Sequence, residues 1–108
     1  MELLTIPQLA DILDVDVVQA HQLVRDGEFI IVRTEAGQRR VPADFVQDGG
    51  SVKSLRAVIQ LLRDARFEDA EIVDWLYRKD DTLPGTPIQA LRENRGNEIK
   101  RRAQAAGF

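Results

Sequence analysis

Cysteine is absent from the 108-residue sequence, and histidine occurs only once. Without cysteine, the chain can form neither a disulfide bond nor a thiolate metal site. The lone His21 excludes most histidine-based metal sites, and we expect it to be a partly buried structural residue. Apolar runs end after about four residues, far short of a membrane-spanning helix. No secretory signal precedes Leu3, so the sequence predicts a cytoplasmic protein. The scarcity of cysteine and histidine predicts that it has no metal, and we expect no cofactor.

Signatures of catalysis are also missing. The sequence contains no recognisable nucleophile–base pair, no phosphate-cradling glycine loop and no metal-ligand spacing. The carboxylate pairs Glu68-Asp69 and Asp80-Asp81 are better explained by helix capping and loop solubility than by acid chemistry. We therefore do not expect an enzyme.

Positive charge is scarce in the first half of the chain. Residues 1–50 carry nine acidic and four basic side chains, a net charge of −5, whereas residues 51–108 carry nine acidic and eleven basic ones, a net charge of +2. Affinity for nucleic acid comes largely from neutralised phosphates, so the deficit argues against DNA binding unless the cations are concentrated locally. Three of the four, Arg33, Arg39 and Arg40, do flank one predicted turn.

Two capped helices and a hairpin are predicted within residues 5–46. Thr5 with Gln8, and Asp16 with Gln19, each have the spacing of a capping box at a helix start. The positions predicted to be buried are Ile6, Leu9, Ala10 and Leu13 in the first helix and Val17, Ala20, Leu23 and Val24 in the second. Strands are predicted over 29–33 and 38–41, around a turn at 34–37. This order is typical of a winged helix-turn-helix.

Residues 48–51 (DGGS) are four consecutive turn-formers, and we predict a linker there. It divides the chain into a winged helix-turn-helix at 1–48 and a C-terminal four-helix unit at 52–108, and its shortness implies that the two pack together. Ser54 and Thr86 are predicted N-caps in the second unit. The fold class is thus mainly α, with a small β-hairpin wing followed by packed helices.

Three resemblances accompany these patterns. Residues 4–13 (LTIPQLADIL), 23–27 (LVRDG) and 40–42 (RVP) resemble the helix-turn-helix of excisionase and MerR-type DNA-binding proteins, although Val17 and Val18 stand where that group often has polar or basic residues. The whole chain is similar to an actinobacterial winged-helix DNA-binding family known from a mycobacterial regulatory protein. The matching stretches are 52–55 (VKSL), 61–64 (LLRD), 75–76 (WL), 87–91 (PIQAL) and 101–105 (RRAQA). Residues 83–91 (LPGTPIQAL) resemble the toxin-binding segment of Xre/ParS-type antitoxins.

The second resemblance implies a protein that binds double-stranded DNA, a transcriptional or nucleoid-associated regulator. The second helix would enter the major groove with its outward residues Val18, Gln19, Gln22 and Arg25. Arg33, Arg39 and Arg40 of the wing would contact phosphate. Alternation along a strand puts Arg39 and Arg40 on opposite faces. The alternatives are a merely solvated helix surface and charged edge strands that prevent aggregation.

The helical half offers a second basic cluster, formed by Arg92, Arg95, Lys100, Arg101 and Arg102. It is either a secondary DNA contact or a solvated face near a helix C-terminus. The broad apolar face around Leu55, Ile59 and Leu62 could instead hold a second copy or a partner protein, whereas Trp75 and Tyr77 are expected in the core. The competing function is a protein-interaction adaptor with little DNA affinity. A continuous positive strip from Arg25 through Arg33 to Arg40 would favour DNA.

Overall fold

The computed structural model describes residues 1–107, and this part of the chain holds six α-helices and five short strands. The helices are α1 (Ile6–Leu13), α2 (Val17–Arg25), α3 (Leu55–Asp64), α4 (Asp69–Tyr77), α5 (Pro87–Arg92) and α6 (Gly96–Ala105). The strands are β1 (Leu3–Leu4), β2 (Val32–Arg33), β3 (Arg39–Pro42), β4 (Val46–Gln47) and β5 (Gly50–Ser51), with a 3₁₀ turn at Ala43–Phe45. The predicted fold class, mainly α with a small hairpin, is confirmed. Phe108, the last residue of the predicted helical unit, lies outside the described residues.

Both predicted capping boxes are present. The Thr5 hydroxyl accepts from the Gln8 amide at 3.1 Å while the Gln8 side chain accepts from the Thr5 amide at 2.8 Å. Asp16 and Gln19 exchange the corresponding bonds at 2.7 and 3.2 Å. Each pair satisfies two amide groups that a helix start leaves without an intrahelical partner. Local bonds therefore define where α1 and α2 begin.

The buried face of α2 is narrower than predicted. Ala20 is fully buried, Leu23 and Val24 are partly buried, and Val17 is 43% exposed. The prediction of a buried Val17 was wrong, because α2 is fully covered only at the small Ala20 and its first turn projects into solvent. Crossing helices contact each other over a limited length, so the end of an amphipathic stripe can remain uncovered.

The wing is a three-stranded antiparallel sheet in the order β1-β3-β2. The register pairs Leu4 with Val41 in one ladder and Arg33 with Arg39 in the other. The first hairpin strand is shorter than the predicted 29–33. Phe29 and Ile30 are 1% and 0% exposed, and two consecutive side chains cannot both face the core from a strand with one solvated face. The segment before β2 therefore leaves the sheet to fill the core.

The predicted linker at 48–51 is a second hairpin. Strands β4 and β5 pair antiparallel, with Val46 opposite Ser51, and the two residues between the strands, Asp48 and Gly49, have φ of 53° and 77°. Left-handed backbone at both central positions suits the twist of a two-residue hairpin, and Asp-Gly is a preferred sequence for it. The predicted linker residues therefore reverse the chain within a hydrogen-bonded hairpin.

Helices α3 to α6 form the helical half that the sequence predicted. The face of α3 predicted to be apolar is fully buried: Leu55, Val58, Ile59 and Leu62 are at most 1% exposed. The Ser54 side chain makes no capping bond, which differs from the prediction. Its backbone is left-handed (φ 72°) and its hydroxyl lies beside Gly96, where an added Cβ would come within 2.3 Å of that oxygen. The hydroxyl thus lies where α6 begins, away from the amides of α3.

Buried side chains from both halves form a single hydrophobic cluster, which includes Phe29 and Phe45 from the first half and Leu55 and Leu91 from the second. Polar contacts reinforce the junction. The Arg92 guanidinium donates to the Asp44 and Val46 carbonyls at 2.9 and 2.7 Å, across more than forty residues of sequence. The division into units at 1–48 and 52–108 stays a prediction from the sequence. Within residues 1–107, no helix has the length and hydropathy needed to cross a membrane.

Candidate nucleic-acid interface

The outward face of α2 is exposed over its whole length. Val18 is 73% exposed, and Gln19, Gln22 and Arg25 are exposed as well. Gln19 uses its side-chain oxygen in the helix cap, which holds that residue in place. Gln22 accepts from Arg25 Nη2 at 2.9 Å and donates to Asp26 at the same distance. The four predicted reader residues therefore share one accessible surface, and the last two are ordered against each other.

Two arginines of the wing face each other across the ladder. Arg33 on β2 lies directly opposite Arg39 on β3, and both are exposed. Directly opposed side chains are on the same face of a sheet, and like charges placed there repel each other. Arg40 alternates to the other face and donates to the Arg39 carbonyl at 2.8 Å and to Gln38 at 3.0 Å. Arg33 and Arg39 thus share one face of the wing, and none of the three wing arginines forms a salt bridge within residues 1–107.

A groove of about 710 Å³ separates the wing and the end of α2 from the helical half. Arg25, Arg33 and Arg39 line it from the first half, and Arg63 of α3 lines it from the second. The strip was predicted to run from Arg25 through Arg33 to Arg40. Arg25 and Arg33 do line the same groove, but the third arginine there is Arg39, and Arg40 is not among the lining residues. Sequence reasoning missed Arg63, because no local pattern links it to residues more than twenty positions away.

Arg63 differs from the other three cations. Its Nε and Nη2 donate to Asp69 at 3.1 and 3.2 Å, and Asp69 also lines the groove. The ion pair neutralises Arg63 and the acid together. The groove consequently keeps the charges of Arg25, Arg33 and Arg39, and its remaining surface is mostly apolar.

The secondary cluster divides into two groups. Arg92 bonds to carbonyls of the first half, as described above, and Arg95 pairs with Glu98. Arg102 donates to Asp80 at 3.0 Å, to Glu98 at 3.2 Å and to the Thr82 hydroxyl at 2.7 Å. Lys100 is partly exposed and Arg101 is exposed, and neither forms a salt bridge to another residue in the range 1–107. A secondary phosphate contact would thus fall to Lys100 and Arg101.

Hydrogen bonds within the protein also lower the pKa values of the two acids that contact Arg102. Hydrogen bonds from Arg95, reinforced by those from Arg102, lower the pKa of Glu98. The side-chain hydrogen bond from Thr82 is the main cause that lowers the pKa of Asp80, and the charge of Arg102 adds to it. Both carboxylates are therefore ionised and attract Arg102, so less of its charge is available to an external anion.

The aromatic candidates are packed against the core. Trp75 is partly buried, and the Tyr77 ring stacks on Phe45 at a centroid distance of 6.2 Å. Burial, followed by the hydrogen bond to Asp44 at 3.0 Å, raises the pKa of Tyr77. His21 on α2 is partly buried, as predicted. Residues 1–107 contain no cluster of three or more histidine or acidic side chains arranged to hold a metal ion.

Comparisons with known proteins match this architecture along nearly its whole length. The family model described as "DNA-binding protein Rv2175c, wHTH domain" matches residues 1–46, and that described as "Rv2175c C-terminal domain of unknown function" matches residues 52–107. The DNA-binding protein Rv2175c of Mycobacterium tuberculosis is 31% identical over an alignment of 115 positions, which covers 95% of this chain and 79% of that protein. The NMR structure of Rv2175c superposes with a TM-score of 0.90, covering 99% of this chain and 82% of that chain.

Proposed function

This chain belongs to the family of the DNA-binding protein Rv2175c, and on that premise we propose that it binds double-stranded DNA as a transcriptional or nucleoid-associated regulator. The winged helix-turn-helix is the binding unit. The exposed face of α2 enters the major groove, and the wing lies on the sugar-phosphate backbone.

The observation that carries the proposal is the arrangement of Arg25, Arg33 and Arg39 along one edge. Arg33 and Arg39 face each other without an intervening acid, an arrangement that costs stability unless an anion lies between or above the two guanidinium groups. A phosphate of the DNA backbone supplies that charge, and guanidinium is well suited to bind it in a bidentate manner. The local concentration of cations offsets the net negative charge of the first half.

Base reading falls to α2. Glutamine can bond bidentately to adenine and arginine to guanine, and an apolar side chain can contact the methyl group of thymine. Gln22, Arg25 and the highly exposed Val18 supply these three chemistries on adjacent positions of one helix face. The bond from Arg25 to Gln22 orders both side chains before DNA arrives, which reduces the entropy lost on binding.

The salt dependence of duplex binding tests the role of the wing. Wild type and an Arg33→Ala/Arg39→Ala variant are titrated with random duplex and with the promoter of its own gene, over a range of salt concentrations. Losing two phosphate contacts should reduce the slope of log K against log salt by about 1.8. The matched control is Arg56→Ala/Arg78→Ala, which makes the same change in net charge at residues whose side chains are 61% and 70% exposed.

The outcomes separate the two functions. A reduced slope in the wing variant alone supports DNA binding through the wing. An equal change in both double variants would mean that only net charge matters and would remove the wing from the interface. Absence of duplex binding by the wild type would favour the adaptor, in which the helical half binds a partner protein.

A further inference from the structure

The groove between the wing and α4 has the features of a small-molecule site. Its volume of about 710 Å³ lies within the roughly 300–1,000 Å³ common for ligand pockets. The apolar residues that line it are Val24, Phe29, Ile31, Val32, Ala70 and Val73. Phe29 is 1% exposed and so forms part of the floor of the groove. An apolar surface bordered by a few convergent polar groups is the usual composition of such sites.

The charges on the rim determine the class of ligand. Asp69, the acid among the lining residues, is paired with Arg63 at 3.0 Å. Arg25, Arg33 and Arg39 therefore leave a net positive rim over an apolar floor. Such a surface is complementary to a molecule with an apolar body and an anionic head. Neutral apolar ligands would leave the rim's cations unpaired, and small inorganic anions would leave the floor uncovered.

We propose that this groove binds a small amphipathic anion, an apolar ring or chain that carries one carboxylate, and that the bound anion competes with DNA. Binding itself depends only on the groove. The competition rests on the proposed function, because Arg25, Arg33 and Arg39 are also the proposed DNA contacts. The helical half thereby acquires a role in regulation, since α4 supplies the wall of the groove opposite the wing.

The test uses naphthalene-carboxylate as the probe, with naphthamide as its neutral analogue of the same shape and naphthyl phosphate as a second anionic head. Affinities come from calorimetry on the full chain, and amide chemical shifts in the NMR spectrum locate the bound probe. The carboxylate should bind at least about tenfold more tightly than the amide, because the amide loses the charge-assisted hydrogen bonds. Shifts should concentrate on Ile31, Val32, Ala70 and Val73.

Two variants test the apolar groove and its charged rim, and a third serves as a control outside the groove. Ala70→Trp fills the groove from the exposed side of α4 without altering an arginine, and Ala57→Trp places the same side chain on an exposed position of α3 outside it. Carboxylate affinity should fall about tenfold or more in the first variant and stay unchanged in the second. Arg39→Gln should reduce the affinity for the carboxylate about tenfold while leaving that for the amide unaltered.

Competition is then measured by titrating duplex in the presence of the probe. The apparent Kd for DNA should rise with carboxylate in the wild type and not in Ala70→Trp. Equal affinities for carboxylate and amide, or equal effects of the two tryptophan variants, would overturn the ligand site. If Ala70→Trp weakens DNA binding without any probe and the wild type binds no carboxylate, the groove contacts the DNA backbone and the proposal fails. If the wild type without ligand does not bind duplex, the proposed function is refuted, and the ligand site is judged by the probe affinities alone.

Discussion

Replacing Arg92 with alanine should destabilise the protein without changing how it binds DNA. One guanidinium nitrogen bonds to the carbonyls of Asp44 and Val46 at 2.9 and 2.7 Å, while the Arg92 carbonyl accepts from Gln47 at 3.1 Å. Hydrogen bonds from a charged donor contribute about 1.5–3 kcal/mol each, and removing the donor leaves partly buried carbonyls without a partner. With partial exposure of the site, we expect a loss of about 2–4 kcal/mol, a large part of the stability of a small domain.

Urea unfolding followed by Trp75 fluorescence and by circular dichroism measures this loss. Arg92→Lys should cost about half as much, because a compact ammonium cannot reach both carbonyls with the same geometry. The control is Arg78→Ala, which removes a pair between side chains that are 70% and 65% exposed and should cost less than about 1 kcal/mol. The m-value should stay the same in all four proteins.

The same variant discriminates between the two interpretations of Arg92. If the residue only joins the halves, the salt slope of duplex binding stays at the wild-type value under conditions in which the variant is folded. If it contacts phosphate, the slope falls by about 0.9. Equal destabilisation by Arg92→Ala and Arg78→Ala, together with a reduced slope, would refute the reasoning and return Arg92 to the DNA interface.

Three further predictions follow from single contacts. Gly96→Ala should lower the free energy of unfolding by about 1–3 kcal/mol, because the added methyl group overpacks against Ser54. Ser54→Gly in the same chain should restore stability, since glycine suits the φ of 72° at that position. Thermal unfolding of the two single variants and the double variant tests this, and failure of the rescue would contradict it. Gln22→Ala and Arg25→Ala should each relax sequence preference by about 1–3 kcal/mol at one base pair, measured by selection from random duplexes; unchanged preference in both would exclude α2 as the reader. Burial and hydrogen bonding raise the pKa of Tyr77 above 10.0, so folding favours the neutral phenol, and this contribution is complete below pH 10.0 and lost as pH rises through the folded-state pKa. Because this is the one tyrosine in the chain, ultraviolet titration reports it directly, and ionisation near pH 10.0 in the folded protein would contradict the prediction.

The helix starts were predictable from the sequence because their determinants are local. Thr5 with Gln8 and Asp16 with Gln19 exchange bonds over three residues, so the residue types and their spacing are sufficient to indicate the caps. The apolar face of α3 was equally plain, since a period of 3.6 residues identifies the side that must be buried. A local signal for the second hairpin is also present, because Asp48-Gly49, inside the predicted linker, is a preferred two-residue turn.

Two features depended on the tertiary structure: which residues at the edge of a helix's apolar face are buried, and which groups the arginines and lysines contact. Val17 belongs to the apolar stripe of α2, yet its exposure depends on how far α1 covers that helix. Arg92 and Lys100 belong to one basic cluster in the sequence, but a contact with residues 46 and 48 positions away turns Arg92 into a structural link. Arg63 likewise lines the groove beside wing residues that are more than twenty positions away in the sequence.

The sequence by itself therefore determined the helices, the caps of α1 and α2 and the class of fold, because these depend on hydrogen bonds and periodicities within a few residues of chain. Only the tertiary structure decided which charges remain available to a ligand. An arginine's availability depends on the acid or carbonyl that packing brings next to it, and that neighbour can come from any distance along the chain. Arg25, Arg33 and Arg39 keep their charge at the groove, whereas that of Arg63 is neutralised by Asp69 and that of Arg102 is shared with Asp80 and Glu98.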